Sequence, residues 1–151
     1  MGTTMVRCAG ALILVCLVVT SGCGISDAPP PLLEAQYTSM KPLGLLYGNY
    51  LSRFRRPPKS EEDFRKFLTT VGADAVRAAR VTDVEILFRS PRSNEPLVIL
   101  YGKPGPPGPA GQPWVAYEKT PMSGVRYVAS TVGAVAEMDE ERFRSLFPNA
   151  E

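Results

Sequence analysis

Few side chains in this 151-residue chain are equipped for chemistry, and one type is missing altogether: there is no histidine, which excludes imidazole general bases and imidazole metal ligands. The cysteines are Cys8, Cys16 and Cys23, all within the first two dozen residues. Two carboxylate triplets, Glu61-Glu62-Asp63 and Asp139-Glu140-Glu141, have the composition of an acid–base pair or a hard-cation site. Both stand where the first turn of a helix favours negative charge, and helix capping accounts for them. Their common Glu-Glu-x-Phe-Arg pattern marks two capped helices, because nothing else in the two halves matches. A hydroxyl nucleophile would need Lys or a carboxylate as its base, and no Ser-x-x-Lys element lies in an apolar setting. No catalytic residue, cofactor or metal ligand is assigned on this reading, and the chain is expected not to be an enzyme.

A second group of reactive character is basic: Arg53, Arg55, Arg56 and Lys59 flank Pro57-Pro58. Such a cluster can touch anionic lipid headgroups or a cell-wall polymer. Cations complementing the negative end of a helix explain the same residues. The formal net charge is only +2, so neither a nucleic acid nor an acidic substrate is implied.

Cys23 acquires its meaning from what precedes it. Arg7 is followed by an uncharged run from Cys8 to Val19 rich in Leu, Ile and Val, and then by Thr20, Ser21 and Gly22. Cationic, apolar and small-residue regions in that order make a secretory signal. About twelve apolar residues give roughly 18 Å of helix, short of the roughly 30 Å hydrocarbon core that a permanent span crosses. Thr20-Ser21-Gly22-Cys23 resembles the bacterial lipobox, in which cleavage before the cysteine frees an amine and the sulfur carries diacylglycerol. The resemblance implies cleavage between Gly22 and Cys23, a thioether-linked lipid on Cys23 and an acylated (palmitate-type) amine. Two or three chains, at about 0.8 kcal/mol per buried CH₂, anchor durably where one is marginal. An uncleaved anchor and cleavage without lipidation are the alternatives. Cys8 and Cys16 would leave with the signal, so no internal disulfide is expected.

The remaining chain divides simply. Residues 23–41, with Pro29-Pro30-Pro31 and no apolar periodicity, read as a lipidated cysteine and a flexible tether. Residues 42–148 read as one α+β domain. Pro42 opens a helix whose Leu43, Leu46, Tyr47, Tyr50, Leu51 and Phe54 keep the period of 3.6, stopped by Pro57-Pro58. Gly44 and Gly48 cost that helix stability unless a neighbour packs closely. Ser60 caps a second helix with Asp63 as its capping-box partner, burying Phe64, Phe67, Leu68 and Val71. Asp74 to Arg80 can add a further turn or two. Val84, Ile86 and Phe88 alternate as a strand, and Leu97 to Tyr101 is continuously apolar, as a central strand is. Trp114–Glu118, Val125–Ser130 and Ala134–Met138 supply the rest of an antiparallel meander, the last two joined at Gly133. Asp139 caps a closing helix with Phe143, Leu146 and Phe147 inward. The Gly-x-y triplets of residues 102–113 are collagen-like in composition but too few for a triple helix, and read as a floppy or extended loop.

In Tyr47 to Phe67, Ser90-Pro91-Arg92, Leu97 to Gly102, Tyr117-Glu118 and Tyr127 to Phe143 the domain resembles a group of uncharacterised planctomycete lipoproteins, which implies no activity. More distantly, a helix, a proline break, a short helix and an antiparallel sheet are similar to pseudopilins and pilin-like proteins. The function expected is therefore a lipid-anchored, non-catalytic interaction or structural module on the outer side of an envelope membrane. Its partners would be the bilayer through Cys23 and an unknown envelope protein or cell-wall polymer. A pilin-like accessory of a secretion or assembly system and an envelope hydrolase of unfamiliar type are the competing readings.

Overall fold

Helix α1 (Met40–Phe54) carries the domain's longest apolar face. The computed structural model describes residues 39–150 and the backbone of Leu32–Leu33. The signal segment, Gly22 and Cys23 lie outside the described residues. Helix α1 starts two residues earlier than Pro42, leaving the proline in the first turn, where its missing N–H breaks no helical bond. Met40, Leu43, Leu46, Tyr47 and Tyr50 are buried. Phe54, at the end of the expected stripe, is 40% exposed. The two helix-weakening glycines have a reason. Gly44 lies against the Ser130 carbonyl and Gly48 against the Thr131 carbonyl, so closely that a Cβ on either would overlap the oxygen. They let α1 lie directly on the sheet.

Pro57 and Pro58 separate α1 from α2 (Glu61–Thr69). Ser60 Oγ accepts the Asp63 N–H at 3.2 Å, the forward half of a capping box. The return half is displaced by one residue, because the Asp63 carboxylate accepts the N–H of Lys59 at 3.0 Å. Phe64, Phe67 and Leu68 are buried, but Val71 is 48% exposed, contrary to expectation. The helix stops at Thr69, so Val71 leaves its periodic face and falls in the turn before α3 (Ala73–Ala78).

The segment expected to be a strand at Val84 is a 3-10 helix, Val84–Phe88. Asp83 starts it by accepting the Glu85 N–H at 2.9 Å, and the inward residues are Leu87 and Phe88, with Ile86 45% exposed. The alternation of Val84, Ile86 and Phe88 was therefore not a two-faced pleat. A local side-chain cap decided the turn.

Four antiparallel strands follow, β2 (Leu97–Ile99), β3 (Trp114–Glu118), β4 (Val125–Ser130) and β5 (Val135–Asp139), paired in chain order. A two-residue strand β1 (Leu32–Leu33), inside the stretch read as an unstructured tether, pairs with Ala136 and Val135 of β5. Strand β2 is an edge strand, not the central one its apolar run suggests. Such a run reports that both faces are covered, and here they are: Leu97 and Ile99 join the helix-side core, while Val98 and Leu100 pack on the other face. The register shift between Trp114 and Ala116 puts Val115 and Ala116 together on the helix side.

The result is an α+β domain of three layers. Helices α1 to α3 cover one face of the sheet, and α4 (Glu140–Leu146) covers the other with Phe143 and Phe147 against Tyr117, ring centroids 4.9 and 5.1 Å away. Asp139 caps α4 by accepting the Arg142 N–H at 2.7 Å. Residues 102–113, expected to be floppy or extended, instead fold back on themselves. Pro107 pairs with Pro113, the Gly108 N–H bonds the Gln112 carbonyl at 2.7 Å, and Gly105 and Gly108 pack on Trp114, which is 1% exposed. Glycines are needed there because a Cβ at 105 would overlap the Trp114 carbonyl and one at 108 the Gln112 carbonyl.

Candidate functional site

The C-terminal end of α1 gathers cations. Arg53 closes the last helical turn, and Arg55 caps it in the left-handed conformation, φ 55°, with its N–H on the Leu51 carbonyl. That conformation costs a side-chain-bearing residue about 1 kcal/mol and is normally taken by glycine. Arg56 differs from its neighbours. Its guanidinium pairs with Asp63 at 3.2 Å and lies 5.7 Å from the Tyr50 ring centroid and 6.0 Å from that of Phe54. Tyr50 Oη also donates to Asp63, at 2.7 Å. The Lys59 N–H, the Tyr50 hydroxyl and Arg56 together hold the Asp63 carboxyl at a pKa of about 2. Arg56 is thus a clamp for the α1–α2 corner, whereas Arg53, Arg55 and Lys59 are exposed and make no ion pair among the described residues.

The structure adds a residue that spacing gave no reason to include. The Gly102 N–H donates to the Pro58 carbonyl at 2.8 Å, which brings Lys103 beside Lys59 across the chain. Both lysines are exposed. Phe54, large and apolar, lies between Arg53 and Arg55 in sequence and is exposed.

A second polar group is buried. Glu118, 2% exposed, accepts from Ser90 Oγ at 2.5 Å, from Arg92 Nε at 3.1 Å, from Arg92 Nη2, and from the Tyr127 N–H at 2.9 Å. The Arg92 guanidinium lies 3.9 Å from the Tyr127 ring centroid and also donates to the Val125 carbonyl. Ser90 Oγ in turn accepts the N–H groups of Arg92 and Ser93, both at 3.1 Å. A hydroxyl beside a carboxylate is the raw material of a nucleophile and its base. Here the carboxylate is saturated by four donor groups and the hydroxyl is 5% exposed, so the arrangement ties the residue 90–93 turn to β3 and β4. On the opposite face Arg126 plays the same part. It donates to the carbonyls of Glu118 and Lys119 and to Glu140 at 2.6 Å, with its guanidinium 4.5 Å from the Phe143 ring centroid.

A cleft of about 220 Å³ opens between α2 and the 3-10 helix. Arg65 crosses it, bonded to Glu61 at 2.6 Å and to Glu85, and stacked 3.7 Å from the Phe88 ring centroid. The carboxylates lining it are therefore already engaged. Among the described residues no three Cys, Asp or Glu side chains converge so as to hold a metal ion, and no helix is long and apolar enough to cross a membrane.

The acidic triplets separate into individual duties. Asp63 accepts the Lys59 N–H at the α2 start that Ser60 caps, Asp139 caps α4, Glu61 holds Arg65 and Glu140 holds Arg126. The Arg126 contact also lowers the Glu140 pKa. No protein-family model, no curated protein and no solved structure matches the chain.

Proposed function

We propose that the chain is an envelope lipoprotein: exported, cleaved before Cys23, acylated there, and carrying its α+β body outside the membrane as a non-catalytic interaction module. The observation that carries this reading is the order Arg7, apolar run, Thr20-Ser21-Gly22-Cys23. The position of the folded body agrees with it, since β1 joins the sheet at Leu32, nine residues after the cysteine. The chain from Cys23 to Leu32 spans at most about 30 Å when extended. The hydrolase reading loses support at its best candidate, because the Ser90–Glu118 pair is sealed and its carboxylate fully bonded.

Partitioning between a detergent phase and an aqueous phase tests the proposal. The processed wild-type chain is expected in the detergent phase and Cys23→Ala is expected to accumulate uncleaved, with its signal attached. Wild-type and Cys23→Ala chains of the same mass and the same partitioning would overturn it.

A further inference from the structure

We propose that the basic end of α1 is a second membrane contact, an anionic-lipid headgroup surface made of Arg53, Arg55, Lys59 and Lys103 together with the exposed Phe54. This rests on the lipid-anchor reading, which places the domain within reach of a bilayer. The charges come from two separate stretches that the Gly102–Pro58 hydrogen bond joins, and none of the four makes an ion pair among the described residues. Arg56, by contrast, is spent on Asp63 and is no part of the surface. Phe54 is 40% exposed although Tyr50 and Phe67 lie beside it, with ring centroids 4.6 and 6.0 Å away. An exposed aromatic residue between two arginines in sequence suits the interface, where the ring enters the headgroup layer and the charges meet phosphate.

Arg55 supplies an independent argument. It occupies a left-handed position, φ 55°, where glycine would be unstrained, so a cation stands there at a cost to the fold. Helix α1 is about 22 Å long, against the roughly 30 Å that the chain from Cys23 to Leu32 can span. Each cation held near an anionic surface strengthens association about fivefold.

The test uses the mature lipidated protein with Phe54→Trp, reconstituted with vesicles whose acyl chains are brominated; Trp114 is 1% exposed, and the parent protein gives its baseline. On vesicles containing phosphatidylglycerol, Trp at position 54 is expected to be quenched and blue-shifted. On pure phosphatidylcholine it is expected to be quenched much less. Arg53→Glu with Arg55→Glu should reduce the anionic-vesicle quenching at least tenfold, as should high salt, while Lys at both positions should restore it. Equal quenching on the two vesicle types, or none on either, overturns the proposal. So does protection of position 54 from a soluble quencher by free polygalacturonate but not by anionic vesicles, which would make the surface a cell-wall polymer site. Failure of the protein to sediment with neutral vesicles counts against the anchor alone, since the surface is judged from the anionic vesicles.

Discussion

Arg92 approaches Glu118 from one side with two nitrogens while its guanidinium plane covers the ring of Tyr127, so that one cation fixes the edge of β3 to the middle of the sheet. The pair is separated by 26 residues and closes the chain between the 3-10 helix and β3. Its side chains are 19% and 2% exposed, which places the carboxylate out of water and makes Arg92 its main compensation.

Removing one partner should therefore be costly. Glu118→Ala is expected to destabilise by about 3 kcal/mol, since it deprives a largely buried cation and two further donors, the Ser90 hydroxyl and the Tyr127 N–H, of their partner. Replacing both, as Arg92→Met with Glu118→Leu, should recover most of that loss. Urea unfolding of the two variants checks the order, and a double variant as weak as the single one would refute it.

Gly44→Ala and Gly48→Ala set two effects of opposite sign against each other. Helix propensity favours alanine by about 1 kcal/mol. The added Cβ, however, overlaps the Ser130 or Thr131 carbonyl oxygen, and backbone must move. Net destabilisation of about 2 kcal/mol is expected at each site by thermal unfolding. A gain in stability would mean that α1 does not rest on the β4–β5 turn.

At the α1–α2 corner, the Lys59 N–H, Tyr50 and Arg56 lower the Asp63 pKa from 3.8 to about 2. A depressed carboxylate stabilises the fold above its unfolded-state pKa, and the contribution disappears as pH falls from about 4 through 2. With the Asp63 side chain 31% exposed, solvent screening leaves about 1 kcal/mol. Asp63→Asn should lose that amount at neutral pH and flatten the stability profile below pH 4. An unchanged acid limb in chemical denaturation would remove Asp63 from the account.

Arg55→Gly should move stability the other way. Relief of the left-handed conformation is expected to raise it by up to about 1 kcal/mol. If thermal unfolding shows a loss, the Arg55 side chain holds the helix end and is not simply tolerated there.

What the sequence disclosed was local. The prolines that end α1, the caps at Ser60 and Asp139 and the positive φ of Gly133 act within a few residues, and each is where its pattern indicates. The α+β order follows from those elements. Val84–Phe88 was misread because an alternating apolar pattern also fits one and a half turns of 3-10 helix, and Asp83 chose between them. The rank of Leu97–Ile99 in the sheet was hidden because layers on both faces make an edge strand as apolar as a central one. Contacts across the chain left no local mark. Neither Arg92 with Glu118 nor Lys103 with Lys59 carries a spacing that could announce it. Of the basic residues singled out, Arg56 is a structural clamp, and only its three neighbours remain for the surface.

The account stands on lipid attached to Cys23, and the mass of the natural protein tests that most directly. Intact-mass analysis of the chain purified from its own membranes should show a polypeptide beginning at Cys23 with the added mass of a diacylglycerol thioether and an acylated amine. A chain that keeps the segment through Gly22, or that begins at Cys23 with a free thiol, would contradict it.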